Sequence, residues 1–336
     1  MREERMIEQA RRILMHENIE AFSGSKIGYR NRVDLVFFEG GLGMRESYDS
    51  FVDLKRMEIA NERINDLITQ VRERFVGFDP FIQKTKQGTM RYAVIRALDT
   101  ASVSFVLNTH GDIARSRSAI ERFAQESDVE NVLITFTEPE SDVSVGSRYE
   151  IIKGSDLLEA TLVGAHLKVH AQGFFQNNTQ MAEEMHRFIQ GCLNGVSGVL
   201  IDLYGGVGSF ACTLSDSFER TIVIEDHEGA AAIAAENLAQ NGVRGEAVCA
   251  DASILTRYAD ERTVVITDPP RIGMSEKAIR ALAHLKPERI VYVSCNPIIA
   301  PRDLAYLRGY RIDRVGVFDL FPGTEHFEMI ISLVRE

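Results

Sequence analysis

The stretch Val199-Leu-Ile-Asp-Leu-Tyr-Gly-Gly-Val-Gly208 decides how this chain is read. An apolar run of strand length stops at a glycine-rich loop, and a helical pattern over 209–217 follows. Such glycines let the backbone turn tightly and approach a ligand without side-chain obstruction. Working outward, the pattern gives strands at 221–225, 247–250, 263–267, 289–293, 312–318 and 327–334, with helices at 228–241, 275–285 and 299–307. Strand and helix alternating in this way favour a parallel, doubly wound sheet. The expected fold is α/β, with a Rossmann-like, seven-stranded domain over residues 166–336.

The loop also selects a ligand. Glu225 ends the second strand, where a carboxylate can accept hydrogen bonds from ribose hydroxyls. Asp202 ends the first strand, where it would oppose a phosphate, and Gly205-Gly206-x-Gly208 departs from the fuller glycine run of dinucleotide sites. S-adenosylmethionine has a cationic sulfonium, a cationic amino group and no phosphate, so an acid-rimmed loop suits it. Tyr204, Gly206 and Ser209 in the loop, with Glu225 and Asp268 at strand ends, are the candidate cofactor residues. Asp251, after the third strand, can meet the adenine edge or cap a helix.

The first half reads differently. Ile7, Ala10, Ile13 and Leu14 stand at helical spacing, so residues 1–27 are expected to hold an N-terminal helix packing on the catalytic domain. Residues 28–165 then mix short strands (32–38, 91–97, 102–107, 131–136) with helices at 53–75 and 112–127, as an α+β module. Its basic residues Arg30, Arg32, Arg45, Lys84, Lys86, Arg91, Arg115 and Arg117 are candidates for a local RNA-binding surface or for ordinary solvated charge.

Bulk composition bounds the rest. In 336 residues, 45% of them hydrophobic, a sizeable core can form, and the length favours two domains. A net charge of −11 excludes a generally basic nucleic-acid coat. The sequence lacks a signal-peptide pattern and any apolar stretch of bilayer length, so a cytoplasmic protein without membrane association is expected. Four scattered cysteines, Cys192, Cys212, Cys249 and Cys295, fit neither a disulfide framework nor a Cys-rich metal site.

One of them is placed for chemistry. In Val291-Tyr-Val-Ser-Cys-Asn-Pro297 an apolar run ends at Cys295, and a parallel sheet delivers that position to the ligand crevice. Thr267-Asp-Pro-Pro-Arg271 leaves another strand end, its Pro-Pro pair making a stiff wall. With Gly173-Phe-Phe-Gln-Asn-Asn178, Asp268-Pro-Pro-Arg-Ile-Gly273, Ser294-Cys-Asn-Pro297 and Thr324-Glu-His-Phe-Glu328, these segments resemble the RNA uracil-C5 methyltransferases, which make 5-methyluridine in tRNA and ribosomal RNA. Tyr29-Arg-Asn-Arg-Val33 resembles the entry to that family's central domain.

The resemblance implies a SAM-dependent enzyme acting on RNA, with Cys295 as nucleophile, Glu328 as base, and Gln176, Tyr204, Glu225 and Asp268 around the cofactor or the uracil. Elementary chemistry agrees: uracil carbon 5 is a poor nucleophile until a thiolate adds at carbon 6. His326 is a rival base. Many relatives carry an iron-sulfur cluster on cysteines in the N-terminal half and a leading β-barrel domain. Here no cysteine precedes Cys192, so no cluster or other bound metal is expected, and the segment before Tyr29 is too short for the barrel. No obligate protein partner is implied. Competing readings are a SAM-dependent enzyme with another RNA target, or a non-catalytic RNA-binding or chaperone protein retaining the SAM fold.

Overall fold

Short, fully buried β-branched runs such as Val199–Leu203 and Thr263–Thr267 form parallel strands because both faces of their sheet are covered. The computed structural model describes residues 2–47 and 50–336 and divides the chain into two units. The first unit comprises Met1–Ser25, Thr161–Lys168 and Asn178–Glu336; the second comprises Lys26–Ala160 and Val169–Asn177. The chain therefore passes between units four times, unlike a single cut near residue 165. The reason is local: Val163 and Gly164 both take positive φ and turn the chain back on itself, pairing Leu157–Leu162 with Ala165–His170.

In the first unit, all seven expected strands form. Val199–Leu203 lies between Arg220–Glu225 and Thr263–Thr267, parallel to both, so strand order reverses there and a crevice opens at the carboxyl ends. Gly245–Cys249 extends one side, Arg289–Ser294 the other, and Glu328–Arg335 runs antiparallel between Arg289–Ser294 and Tyr310–Phe318. An eighth strand, Glu20–Phe22, adds parallel to Tyr310–Phe318 and was not evident from three residues of sequence. Ahead of it, the helix Arg2–Leu14 buries Met6 and Ala10 in the same apolar cluster as Ile290 and Val317. The other sheet face packs on Thr179–Cys192 through Met185, Phe188 and Ile189. The expected helix at 299–307 contracts to Ala300–Leu304.

Among the described residues the second unit is a seven-stranded sheet with mostly antiparallel pairing; Ala101–Asn108 and Asn131–Thr137 run parallel, joined by the helix Ile113–Glu126. A helix expected at 53–75 starts only at Glu62, where the Asn61 side chain caps Ile64 N–H, and Phe51–Asp53 is a strand instead. Both helices bury Leu67, Phe75 and Phe123 against one sheet face. Among the described residues no helix is long and apolar enough to cross a membrane.

Candidate active site

The glycine loop is shaped by what cannot fit there. A Cβ on Gly205 would lie 2.7 Å from Val223 Cγ1 and 3.0 Å from Asp202 Cγ, and Gly206 takes φ 55°. Tyr204 adopts φ 60°, an uncommon conformation for a bulky residue, held by its N–H donating to Ile224 O at 2.9 Å. Glu225 clamps the loop: Oε2 accepts from Gly206 N–H and Oε1 from His227 N–H, each at 2.9 Å.

Asp202 is fully buried beneath the loop. Its Oδ2 accepts from Ala211 N–H at 3.0 Å, while Oδ1 has no hydrogen-bond partner among the described residues. An orphaned buried oxygen calls for a donor from outside the chain. Burial pushes the Asp202 carboxyl up to about 7, and it does the same to Asp268. A ligand that brings positive charge and N–H donors fits this arrangement, and a phosphate does not.

Beside the loop lies a cavity of about 250 Å³. Tyr204 and Asp251 are among the residues that line it; Gly206, Ser209, Glu225 and Asp268 are not. Asp251 serves twice, since Oδ1 also accepts from Ser253 N–H at 3.0 Å to cap a short helical turn. Pro270 of the Pro-Pro pair also lines it, with Asp226 and Arg302, which sequence reading did not single out. Asp226 directly follows Glu225 and could have been suspected; Arg302 carries no motif.

Arg302 belongs to a network that shapes the Pro-Pro loop. The buried Asp303 accepts from Met274 N–H at 2.8 Å and from the Tyr292 hydroxyl at 2.6 Å. Arg302 donates both to Asp303 and to Met274 O. Gly273 takes φ 81°, and a Cβ there would strike Arg302 and Asp303.

Cys295 follows the strand Arg289–Ser294 and stays half-buried, whereas Cys192 and Cys212 are buried. Ser294 pairs with Met329; Cys295 is the next residue on one side of that pair and Glu328, the first residue of its strand, precedes it on the other. Burial pushes the Cys295 thiol up to about 11; the charges of Glu328 and Asp268 add to that, and Arg271 opposes it. Glu328 is itself raised to about 8, by burial first and then by Asp268, with Arg271 again opposing. Cys295, Glu328, Asp268 and Arg271 are therefore electrostatic neighbours at one end of the sheet.

His326, the rival base, is exposed. Its carbonyl is held instead: Arg2 donates to His326 O at 2.9 Å, to Thr324 O, and to Asp319 Oδ2 at 2.5 Å. The first helix thereby fastens the segment leading to Glu328. Gln176 belongs to the second unit, where its carbonyl accepts from Asn31 Nδ2 at 2.9 Å.

The basic residues of the second unit are largely engaged. Arg91 is 2% exposed and donates to Glu138 O. Arg32 pairs with Asp34, Arg45 with Asp142 and Arg117 with Glu150, and Lys86 donates to Pro139 O. Lys84 and Arg115 remain exposed, Arg115 over the Phe78 ring. Arg30 donates to Arg32 O at 2.8 Å.

Comparison with known proteins converges on one description. The family model for tRNA (uracil-5-)-methyltransferase matches residues 2–253 and 249–336. An uncharacterized RNA methyltransferase of Thermotoga maritima is 30% identical over 324 residues, covering 91% of this chain and 72% of that protein. One from Clostridium acetobutylicum is 29% identical, covering 94% and 73%. The crystal structure of Pyrococcus abyssi tRNA (uracil-54, C5)-methyltransferase in complex with S-adenosyl-L-homocysteine superposes with a TM-score of 0.84 at 27% identity, covering 99% of this chain and 83% of that one.

Proposed function

This chain belongs to the tRNA (uracil-5-)-methyltransferase family, and we propose that it methylates carbon 5 of a uridine in tRNA or ribosomal RNA, using S-adenosylmethionine and a covalent bond from Cys295. One observation carries the reading: a half-buried thiol stands just past a strand end, within electrostatic reach of the Glu328 and Asp268 carboxyls, in the same unit as an acid-lined, nucleoside-sized cavity.

S-adenosylmethionine supplies an electrophilic methyl group on a cationic sulfur. Tyr204 and Asp251 would hold its adenosine and Asp202 Oδ1 the amino group, for which it is the unsatisfied acceptor; Glu225, outside the cavity wall, is assigned to the ribose by its place at the end of the second strand. Gly206 and Ser209 would approach through the loop, and Gln176 is assigned to the cofactor or base by the Gly173–Asn178 motif. Asp268 faces the reacting atoms.

The Cys295 sulfur adds to uracil carbon 6 and passes its proton to solvent water as the bond forms, regaining one from solvent when it is later expelled, because a thiol raised to about 11 is not ionised beforehand near neutral pH. The electron pair moves to carbon 5 and oxygen 4. Carbon 5 takes the methyl group, and the sulfonium leaves as a neutral thioether. Glu328 then accepts the carbon 5 proton, the carbon 6–sulfur bond breaks, and Cys295 is restored. Glu328 must be ionised to do this, and a cation bound beside Asp268 favours that form. A base inside a stacked helix is out of reach, so the nucleotide is flipped into the crevice.

The test is covalent trapping. With RNA in which 5-fluorouridine replaces uridine, fluorine at carbon 5 cannot be removed as a proton, so the protein is expected to stay bonded to RNA through Cys295. Absence of any adduct on an RNA that binds favours the non-catalytic reading. Because the Pyrococcus abyssi protein is named for tRNA uracil-54, tRNA is the first substrate to try, with 5-methyluridine mapped by mass spectrometry in tRNA and rRNA from cells with and without the gene.

A further inference from the structure

Two isoleucines are exposed beside the nucleophile, Ile272 at 76% and Ile298 at 74%. Single exposed apolar side chains are ordinary, but these occupy neighbouring turns. Asn296 Nδ2 donates to Arg271 O at 3.1 Å, and a Cβ on Gly273 would sit 2.7 Å from Ile299 Cγ2, so residues 271–273 and 296–299 run side by side. Each turn is closed on itself, Gly273 N–H to Pro270 O at 2.7 Å and Ile299 N–H to Asn296 O at 2.9 Å. Asp303 pins the first from behind through Met274 N–H. The side chains thus stand on fixed backbone, and rigid presentation lowers the cost of binding.

Their place suggests the occupant. Ile298 is three residues from Cys295, and Ile272 follows Arg271, whose charge reaches Cys295 and Glu328. Flipping a uridine leaves the adjoining base without its stacking partner, and proteins that unstack nucleic acid fill such gaps with Ile, Leu, Met or Phe. Arg271, exposed and adjoining Ile272 in the chain, supplies charge complementary to the strand's phosphates.

We propose that Ile272 and Ile298 form a rigid apolar lip that covers the nucleobase adjoining the flipped uridine. The proposal rests on the uridine reading above.

Methyl transfer from labelled S-adenosylmethionine to total RNA from cells lacking the gene, measured against RNA concentration, tests it. Ile298→Ser is expected to lower kcat/KM for RNA about threefold to fivefold, and Ile272→Ser with Ile298→Ser about tenfold or more, since each serine forfeits part of the apolar area buried against the base. Ile298→Leu should stay within about twofold of wild type, because leucine keeps the apolar cover. Ile272 edges the cofactor cavity, so S-adenosylmethionine affinity is measured in parallel for each variant. For Ile298→Ser it should not change. Equal RNA dependence for wild type and the serine variants overturns the lip alone, as does a leucine variant as impaired as the serine one. A wild-type dimer that the serine variants dissolve overturns it in favour of self-association. If wild-type protein forms no 5-methyluridine, the uridine reading falls and takes the lip with it.

Discussion

Carboxylates in the two units meet opposite fates. In the second unit, Asp34 is partly buried, yet the Arg32 guanidinium and the Ser144 hydroxyl outweigh that burial and hold its pKa below the usual range. Asp142 is likewise lowered against burial, by Tyr92 and Arg45. In the first unit, Asp202, Asp268 and Glu328 form no ion pair among the described residues, and burial drives all three up to about 7 or 8. Acids matched to internal cations hold a fold together; acids buried without them favour a cation from outside. The contrast also accounts for the basic residues of the second unit, most of which are already engaged within it.

The largest test removes the group those raised acids surround. Cys295→Ala should cost at least about a thousandfold in methyl transfer while leaving S-adenosylmethionine affinity within about twofold, read by calorimetry. Substantial residual turnover would break the assignment of that end of the sheet to covalent chemistry.

Glu328→Gln sharpens the comparison by separating function from stability. Release of the methylated product should slow by about 10²–10⁴, with a covalent protein–RNA complex visible on denaturing gels. A carboxyl raised in the folded state holds its proton more tightly folded than unfolded. Its contribution is therefore full below the ordinary carboxylate pKa near ~4 and is lost as pH rises through about 8. At pH 8 the glutamine variant should gain on the order of 1–2 kcal/mol over wild type. Asp34→Asn should do the reverse, losing roughly 3 kcal/mol by stranding Arg32. Amide exchange in the two sheets would reveal both signs: the first unit loosens toward alkaline pH, and the second toward acid, as its lowered carboxyls take up protons. Matching slopes in the two units would erase the distinction.

The sequence carried the motif end of this site well. Glycine spacing, the Pro-Pro turn and Cys295 at the close of an apolar run reflect backbone geometry, which local residues dictate. Thus the seven strands agree with expectation. What was illegible depends on partners distant in sequence. Nothing near Arg91 foretells its burial beneath carbonyls of residues 138 and 141, and three residues at Glu20–Phe22 become a strand only because Tyr310–Phe318 offers an open edge. Asp303 reads as an ordinary helix acid until Tyr292 and Met274 are seen to meet it.

Buried Asp303, like Asp319, departs from that pattern within the first unit: it is matched by Arg302, a residue of the cavity wall, rather than facing the reacting centre unpaired. Asp303→Asn keeps the shape and removes the charge. It should weaken S-adenosylmethionine about tenfold through the loosened Pro-Pro loop, in line with a hydrogen bond to a charged group at ~1.5–3 kcal/mol, and leave the pH dependence of product release unchanged. A shifted release profile would instead couple the Pro-Pro loop to the reacting centre.

The smallest effect is expected at Arg2, which joins the first helix to the segment before Glu328. Its partner Asp319 is 4% exposed, and the same guanidinium reaches carbonyls at 324 and 326, so one side chain fixes the approach to the base from three points. Arg2→Ala should slow product release about threefold with RNA KM and cofactor affinity unchanged, because the hydrogen bonds of this guanidinium lie neither at the crevice nor at the cavity. Arg2→Lys keeps the charge but not the fork, and should recover only part of the rate. If both variants release product at the wild-type rate, the hydrogen bonds from Thr324 N–H to Phe321 O and from Asp319 N–H to Phe22 O suffice to hold that segment. The placement of Glu328 then belongs to the sheet alone.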